Sequence, residues 1–391
     1  MSVSQEQEKY MKKYGILKQW KKVFAAVLSS SMLMTSVTPG TIVYASEFSS
    51  ELSAETDEFT SGNDSVYEQF NNIEESTPVT ETGNEEDEFA AEEENNSDDT
   101  TGETESATTI DLTSETQYIK TAGTYNINGC NLTGVTNKVL VIQNTTASDE
   151  IVLNIQGDIT INDSVQIIDV QSDCKLIING NGKTIENTGN SNVLTNQKAT
   201  ITFNNVNITD NNKLAVSNNS SGTIYVKGGK YKTEVGTVFS NLGNLYIEDG
   251  TITSEKSECA IDNSSSGKIF MTGGKIQAKG GAAIRTKYNA TLKIKAGTIE
   301  NSKYGIYLRS TSGTTNCVIG NVEFCNNMND IYLAKNQKFT LGEEYSQTNV
   351  IKVGIADTIS STAKRQITTN GTIQNMLQKV VSANNKYLVK Y

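Results

Sequence analysis

Four successive stretches of the chain repeat one pattern: GTIYVKGGKYKT at 222–233, GNLYIEDGTITS at 243–254, GKIFMTGGKIQA at 267–278 and ATLKIKAGTIEN at 290–301. Each holds a strand-forming triplet, a turn with glycine, and an apolar or aromatic anchor two residues after that glycine. The anchors are Tyr231, Ile252, Ile276 and Ile299, so the period is 21 to 24 residues. A unit this short cannot bury its own apolar face, and it must stack on copies of itself.

The residues between the anchors indicate which stacked fold the repeat forms. Each unit holds three strand-like pieces and no helical stretch, and it lacks the Leu and Asn positions of a leucine-rich repeat. The anchors continue upstream and downstream at Ile161, Ile185, Ile208 and Phe324. A further apolar series, predicted to point inward, has nearly the same step: Ile168, Val193, Val216, Val238, Ile261, Ile284, Ile306 and Ile331. The sequence therefore predicts an all-β fold, a parallel β-helix with three strands per coil and about eight to nine coils.

Stacked coils place equivalent side chains in columns, with steps of about 4.8 Å. The recurring glycines suit a sharp corner that needs a positive φ. A second corner is predicted to carry a polar column, although its spacing drifts by one residue: Asn196, Asn218, Asn241 and Asn263.

The repeated G-x-I-x-I-x-G-G-x-I units resemble the right-handed parallel β-helices of the pectin-lyase-like superfamily. More narrowly, they resemble large secreted surface proteins of Gram-positive bacteria. The resemblance covers about residues 110 to 345 and implies right-handed winding. It implies little about activity, because that superfamily includes lyases, hydrolases, adhesins and proteins without any chemistry.

Residues 1–45 are predicted to be a signal peptide, which implies a secreted or cell-surface protein. Lysines precede an apolar run from Val23 to Val37, and Val43-Tyr44-Ala45 offers small residues at the cleavage site. An uncleaved membrane anchor is the alternative, but Ser29, Ser30 and Ser31 interrupt a run that is already short for a membrane span.

Residues 46–108 are predicted to be an unfolded acidic linker. Residues 47–107 hold 21 Asp and Glu but no Lys or Arg, so self-repulsion and a lack of apolar surface oppose folding. The alternatives to a solvating spacer are Ca²⁺ capture and repulsion from an anionic wall.

The net charge of the predicted folded part indicates which kinds of partner it could bind. The chain's net charge is −12, residues 1–46 contribute +4 and the linker −21, so residues 108–391 carry +5. This excess suits an extracellular or cell-wall polysaccharide of acidic character, although it is also compatible with an ordinary solvated surface. Nucleic acid is not predicted as a partner, nor is a membrane after signal cleavage, and the oligomeric state stays open.

The β-helix is predicted to span 109–345, with an irregular N-terminal cap and first coil between Ile110 and Asp149. Residues 346–391 are predicted to form a small β-rich C-terminal cap. One short helix is possible there, because four apolar residues have helical spacing: Ile373, Met376, Leu377 and Val380.

The chemistry is bounded by residue types that are missing. The chain has no histidine, which removes Ser-His and Cys-His nucleophilic pairs and histidine metal sites. No phosphate-cradling glycine loop is present, so no cofactor or metal is predicted. The five cysteines lack metal-ligand spacing and are predicted to be mostly small buried residues. The spacing of Cys317 and Cys325 is compatible with a close approach of these two cysteines across one coil.

Catalysis in the resembled superfamily requires acids, or an Arg or Lys base, on the outer wall. The sequence offers Asp262 and Arg285, which follow the inward Ile261 and Ile284 in adjacent coils. The same spacing predicts a cross-strand ion pair. No second carboxylate falls beside Asp262 in this column, so a two-acid hydrolase site is poorly supported.

Two outward columns are the candidate carbohydrate-binding residues. One holds Tyr225, Tyr246, Phe270 and Lys293, and the other holds Phe239, Asp262, Arg285, Tyr307 and Tyr332. Stacked aromatics could offer ring faces to sugars, with charged groups at the rim. They could equally be strand aromatics that pack against each other. The preferred function is a non-catalytic carbohydrate-binding or adhesive surface protein; the alternatives are a polysaccharide lyase or glycoside hydrolase, and a structural spacer.

Overall fold

A computed structural model of the chain describes residues 106–211, 214–310, 313, 315–342, 345, 350–356, 365–368 and 380–383. Across these ranges the regular secondary structure is β-strand, and no helix is present. None of the described segments could cross a membrane as an apolar helix. The predicted signal peptide lies outside the described residues, as does the predicted linker up to residue 105.

The strands are numbered in chain order. Before the four repeats they are β1 (Thr108–Ile110), β2 (Gln117–Ile119), β3 (Gly123–Ile127), β4 (Cys130–Leu132), β5 (Leu140–Ile142), β6 (Glu150–Ile155), β7 (Ile159–Ile161), β8 (Ile168–Val170), β9 (Lys175–Asn179), β10 (Thr184–Asn187), β11 (Leu194–Asn196), β12 (Thr200–Asn204), β13 (Asn207–Asp210) and β14 (Leu214–Asn218). From the first repeat onward they are β15 (Thr223–Thr233), β16 (Thr237–Asn241), β17 (Asn244–Ser254), β18 (Cys259–Asn263), β19 (Lys268–Met271), β20 (Lys275–Ala278), β21 (Ala282–Thr286), β22 (Thr291–Glu300), β23 (Tyr304–Leu308), β24 (Asn316–Cys325), β25 (Asn329–Leu333), β26 (Thr340–Leu341), β27 (Ile351–Ile355) and β28 (Val380–Ser382).

The strands pair in parallel and form two sheets. The first sheet has 16 strands, with the main order β1-β3-β6-β9-β12-β15-β17-β19-β22-β24-β26. The second sheet has 12 strands, ordered β2-β5-β8-β11-β14-β16-β18-β21-β23-β25-β27-β28. Equivalent strands are separated by one full turn of the chain, which makes the fold a parallel β-solenoid of about 10 turns. The predicted all-β parallel fold is confirmed, while right-handed winding and three strands in each coil stay predictions.

The solenoid has more turns than the eight to nine predicted, because irregular segments at both ends also join the stack. At the N-terminal end, β2 pairs with β5 and β5 pairs with β8. At the C-terminal end, β27 pairs with β25 and β28 pairs with β27. The regular secondary structure in the described part of the predicted cap is therefore β-strand. The predicted short helix lies outside the described residues except for Val380, which begins β28.

Glycines form the corner that joins two segments of the first sheet. β15 and β17 run through this corner as single long strands, and their register shifts there. Gly229, Gly250, Gly274 and Gly297 all have positive φ, between 79° and 115°. A Cβ atom added at Gly229 would lie 2.0 Å from the carbonyl oxygen of Val206 in the preceding turn. This corner therefore requires glycine for both its conformation and its close backbone approach.

The anchors form one continuous column inside the solenoid. Ile208, Tyr231, Ile252, Ile276 and Ile299 are successive register partners and are buried. The hydroxyl of the buried Tyr231 donates a hydrogen bond to the Gly228 carbonyl at 3.0 Å, so its polar atom is satisfied.

Upstream of the four repeats, the strand register corrects one predicted member of the anchor column. Ile159, rather than Ile161, is the partner of Ile185, although both Ile159 and Ile161 are buried. Their spacing of two residues places both on one face of the strand, so sequence spacing alone did not separate them.

In the second sheet, two residues of the predicted inward series shift by one position. Leu194 and Phe239, rather than Val193 and Val238, are the register partners of Val216. Val238 and Phe239 are both fully buried, so strict inside–outside alternation fails at the start of β16. The prediction that Phe239 lies in an outward column is therefore wrong. Its ring packs in the core 5.3 Å from that of Tyr231, and Ser240 takes the outward position.

The predicted asparagine column is confirmed, and its four members are in register. The four residues are buried register partners. The Nδ2 group of Asn196 donates to Oδ1 of Asn218 at 3.0 Å, and the next two links are each 2.8 Å long, ending at Asn263. The one-residue drift in sequence spacing is absorbed by the turns between strands. The column satisfies buried amides that would otherwise destabilise each turn.

Candidate functional site

The first predicted outward column lies on the first sheet. Tyr225, Tyr246, Phe270 and Lys293 are successive register partners in β15, β17, β19 and β22. We call these four residues the aromatic column. The ring centroids of Tyr225 and Tyr246 are 4.6 Å apart, and those of Tyr246 and Phe270 are 4.9 Å apart. The predicted spacing of about 5 Å along the column is confirmed.

The ring orientations decide what this column offers to a ligand. Neighbouring rings are nearly parallel, with angles of 11° and 12°, so both faces of Tyr246 are covered. The Lys293 ammonium lies 5.9 Å from the centroid of Phe270 and occupies its remaining side as a cation–π contact. Burial, followed by the neighbouring Tyr225, raises the pKa of Tyr246. The column therefore packs against itself and offers ring edges and polar tips rather than the ring faces expected for sugar stacking.

The second outward column lies on the second sheet. Ser240, Asp262, Arg285, Tyr307 and Tyr332 are successive register partners in β16, β18, β21, β23 and β25. Four of the five predicted members are therefore brought together, and Ser240 replaces Phe239.

Asp262 and Arg285 form a buried ion pair, which the sequence predicted as one interpretation of their spacing. Arg285 Nε donates to Asp262 Oδ1 at 3.0 Å, and Nη2 donates to Oδ2 at 2.9 Å. The third contact of the guanidinium is Nη1 to Glu258 Oε2 at 2.5 Å, and Lys287 Nζ lies 3.5 Å from Asp262. Asp262 is 1% exposed. We call these four residues the charge network.

The charge network is poorly suited to acid–base catalysis. Burial opposes ionisation of Asp262, but the charge and hydrogen bonds of Arg285 outweigh it and hold the pKa of Asp262 below its usual range. A carboxylate in this state has no proton to donate near neutral pH. Arg285 is held by two acids, and a guanidinium keeps its proton in proteins. These two residues therefore lack the acid and base roles that a hydrolase or lyase would require of them.

Three tyrosines meet next to the charge network, and we call them the tyrosine cluster: Tyr304, Tyr307 and Tyr332. The centroids of Tyr304 and Tyr332 are 4.4 Å apart in a stacked pair, whereas Tyr307 meets Tyr332 at 5.2 Å and 67°. Tyr307 also meets Tyr304 at 5.3 Å and 48°. The Lys303 ammonium lies 5.2 Å from the Tyr304 ring. All three tyrosines are half-buried, and their mixed angles prevent the closed parallel stack of the aromatic column.

Tyr304 was missed by the sequence reasoning. It stands two residues before the buried Ile306, and period-two alternation assigns such a position to the interior. Aligning the starts of the second-sheet strands would also have missed it, because its register partners Ala282 and Asn329 are both buried.

A second asparagine column on the first sheet was also missed. Asn154, Asn179 and Asn204 are half-buried, and each donates through Nδ2 to the preceding asparagine, beginning at Asn126, over 2.9 to 3.1 Å. Their spacings of 28, 25 and 25 residues were the available signal, although they exceed the period of the central repeats.

Within the described part of the chain, the cysteines and acidic residues form no further site. Cys174, Cys259 and Cys317 are buried, as predicted, and all five cysteines are free. Cys317 and Cys325 lie eight positions apart in the same strand, β24, rather than facing one another. Burial raises the pKa of Cys174 and Cys259 to about 11, which disfavours the reactive thiolate. Among the described residues, no group of three or more Cys, Asp or Glu could hold a metal ion.

Comparison with known protein families, with curated proteins and with solved structures gives no match.

Proposed function

We propose that the protein is a non-catalytic, secreted or cell-surface protein that binds an extracellular carbohydrate through the tyrosine cluster. The observation that carries the proposal is the 67° angle between Tyr307 and Tyr332. Rings at this angle meet edge to face, and both tyrosines are only half-buried, so each keeps some accessible surface that can meet the apolar face of a sugar. The proposal thus moves the candidate binding surface from the aromatic column to the second sheet.

Polar groups beside the tyrosines support the same proposal. Tyr307 is the register partner of Arg285, which has five N–H donors. Three of them bind Asp262 and Glu258. The two acids hold the guanidinium in one orientation, which lowers the entropic cost of using its remaining donors on a sugar hydroxyl. Aromatic surface with a few fixed polar groups is typical of carbohydrate sites.

Secretion and superfamily membership are part of the proposal. They are supported by the basic and apolar pattern of residues 1–45 and by the repeat's resemblance to right-handed pectin-lyase-like β-helices. Catalysis is not proposed, because Asp262 and Arg285 neutralise one another. A structural spacer remains the outcome if no carbohydrate binds.

Glycan retention tests the proposal. Wild type, Tyr307→Ala and Tyr332→Ala are compared on an array of neutral and acidic glycans. Each lost ring contact of about 1 kcal/mol should lower retention about fivefold. Tyr118→Ala is the matched control, because Tyr118 is an exposed tyrosine of the same sheet outside the cluster. Equal retention of all four proteins, or no retention by wild type, would overturn the proposal.

A product assay addresses the catalytic alternative. Purified protein is incubated with pectate, xylan and host glycans, with and without Ca²⁺, and both reducing ends and unsaturated products are measured. We expect no turnover. Turnover that is lost in Arg285→Ala, with the variant still folded by circular dichroism, would replace the binding proposal with a lyase.

A further inference from the structure

Three of the four members of the aromatic column carry a polar group at the outer end of the side chain: Tyr225, Tyr246 and Lys293. The hydroxyls of Tyr225 and Tyr246 form no hydrogen bond with the described residues. Two turns beyond Tyr246, the same column ends in the exposed ammonium of Lys293. Because the rings stack, they hold the two tyrosine hydroxyls one step of about 4.8 Å apart along the solenoid axis, and the ring of Phe270 separates them from the Lys293 ammonium.

Two further lysines lie beside the end of this line. Lys268 is in β19, two residues before Phe270, and Lys295 is in β22, two residues after Lys293. Side chains two residues apart in a strand point to the same face, and all three lysines are exposed. They therefore share one patch of the first sheet, with neighbours about 7 to 8 Å apart.

These three lysines differ from others nearby in having no acidic partner. Several lysines of the solenoid pair with a glutamate of an adjacent turn: Lys227 with Glu248 at 3.6 Å, Lys232 with Glu255 at 3.4 Å, and Lys275 with Glu300 at 3.3 Å. Lys268, Lys293 and Lys295 form no ion pair with any described residue. Three adjacent positive charges repel one another, and an anion would relieve this repulsion.

We propose that the aromatic column and its three lysines form a site for a polysaccharide that carries sulfate or phosphate esters. The patch contains lysines and no arginine, and an ammonium acts as a point charge that suits tetrahedral oxyanions. The tyrosine hydroxyls donate to the same kind of oxygen, and ring edges carry partial positive charge.

The shape of the site favours a polymer over a single small anion. The aromatic column spans four turns, about 15 Å along the solenoid axis, and the three lysines extend across that axis over two adjacent turns. A site extended in both directions matches several sugar units of a polymer. Each exposed contact is weak and screened by salt, so binding depends on several contacts at once. This site lies on the first sheet and uses charge, whereas the tyrosine cluster lies on the second sheet and uses ring surface. The two proposals therefore stand or fall separately.

Retention on immobilised dextran sulfate tests this site, with phosphorylated mannan as the second probe and neutral dextran as the blank. The triple variant K268Q/K293Q/K295Q should lose about tenfold or more in retention at low ionic strength, and the loss should shrink as salt rises. The control K227Q/K232Q/K275Q changes the net charge equally at lysines that have acidic partners. It should lose less than about twofold.

A single-atom change sharpens the test. Tyr246→Phe removes one hydroxyl and keeps the stacked ring, so it should weaken retention about two- to fivefold without lowering the melting temperature. Which of the two probes binds more tightly identifies the ester.

Three results would overturn the proposal. Equal losses in the two triple variants would mean that only net charge matters. Equal retention of wild type on polygalacturonate would mean that a carboxylate suffices. Tighter retention on duplex DNA than on either ester-bearing polysaccharide would assign the patch to another class of polymer.

Discussion

The aromatic column and the column that contains Asp262 and Arg285 obey the same register rule but have opposite chemistry. In the aromatic column, like side chains stack in parallel at 4.6 and 4.9 Å, and the tips stay accessible. In the other column, unlike charges meet one turn apart, and Asp262 becomes 1% exposed. Equal axial spacing thus produced a closed stack on one sheet and a neutralised pair on the other.

This difference teaches where binding capacity remains on a solenoid wall. A column of like groups satisfies itself through its faces and keeps its edges for a ligand. A column of opposite charges satisfies most of its own polar groups, and a ligand must rely mainly on the residues next to it. The tyrosine cluster sits in that neighbouring position, because Tyr307 is the partner of Arg285 in the next turn.

The largest effect is expected from a change in the core that both columns share. Ile276→Asp places an unpaired charge between the buried Ile252 and Ile299. It should cost about 5 kcal/mol or more of unfolding free energy, which would unfold neighbouring turns. Urea denaturation followed by circular dichroism measures this, with Ile276→Val as a control that should cost about 1 kcal/mol. A stable Ile276→Asp protein would show that the inward register is wrong.

The next largest effect on the free energy of unfolding is expected from a change that disrupts only the column that contains Asp262 and Arg285. Arg285→Met leaves the buried Asp262 with Lys287 as its nearest cation, 3.5 Å away, and should cost about 3 kcal/mol. The double variant Arg285→Met/Asp262→Asn removes the unpaired charge and should recover most of that loss in the same denaturation measurement. If the double variant is no more stable than the single one, the ion pair does not determine the stability of this wall.

A smaller effect is expected in the aromatic column. Tyr246→Ala removes two ring contacts and should cost about 1 to 2 kcal/mol, because its side chain is only half-buried. Thermal unfolding measures the loss, and Tyr246→Phe should restore it because the stack is kept. A loss that Phe cannot restore would assign the stability to the hydroxyl instead.

The smallest effect concerns pH and compares Asp262 with Asp330, another buried carboxyl of the second sheet. Burial raises the pKa of Asp330, although the backbone N–H of Lys352 donates to Oδ2 at 2.8 Å. A raised folded pKa contributes stability that is fully present below the ordinary value of 3.8 and is lost as pH rises through the folded pKa. The pKa shift of Asp262 has the opposite sign, so the stability that this carboxylate contributes is lost as pH falls below 3.8.

Urea denaturation from pH 3 to 7 separates these two signs. The unfolding free energy of wild type relative to that of Asp330→Asn should fall as pH rises. The unfolding free energy of wild type relative to that of Asp262→Asn should fall as pH drops. Parallel slopes for the two variants would contradict the assigned directions. The effect is small because the ionised Asp330 still accepts hydrogen bonds from Lys352 and Asn327.

Much of the fold could be predicted because a period of 21 to 24 residues leaves few architectures. The glycine corner, the buried asparagine column and the stacking order of the aromatic column all follow from that period and are present. Errors arose where strands begin. At β16, two consecutive residues, Val238 and Phe239, are both buried, so a rule of strict alternation placed Phe239 on the wrong side. The same rule hid Tyr304.

The sequence by itself determined most of the columns in the central repeats, because in a parallel stack the repeat period sets how far apart equivalent Cα atoms lie along the axis. It therefore brought Tyr225 beside Tyr246, and Asp262 beside Arg285. The tertiary structure alone decided what each column can do. Ring angles, and the number of hydrogen bonds that a guanidinium makes, depend on rotamers and on neighbours in the adjacent turns. A period specifies where side chains stand along the axis, but it does not specify which of their faces remain uncovered.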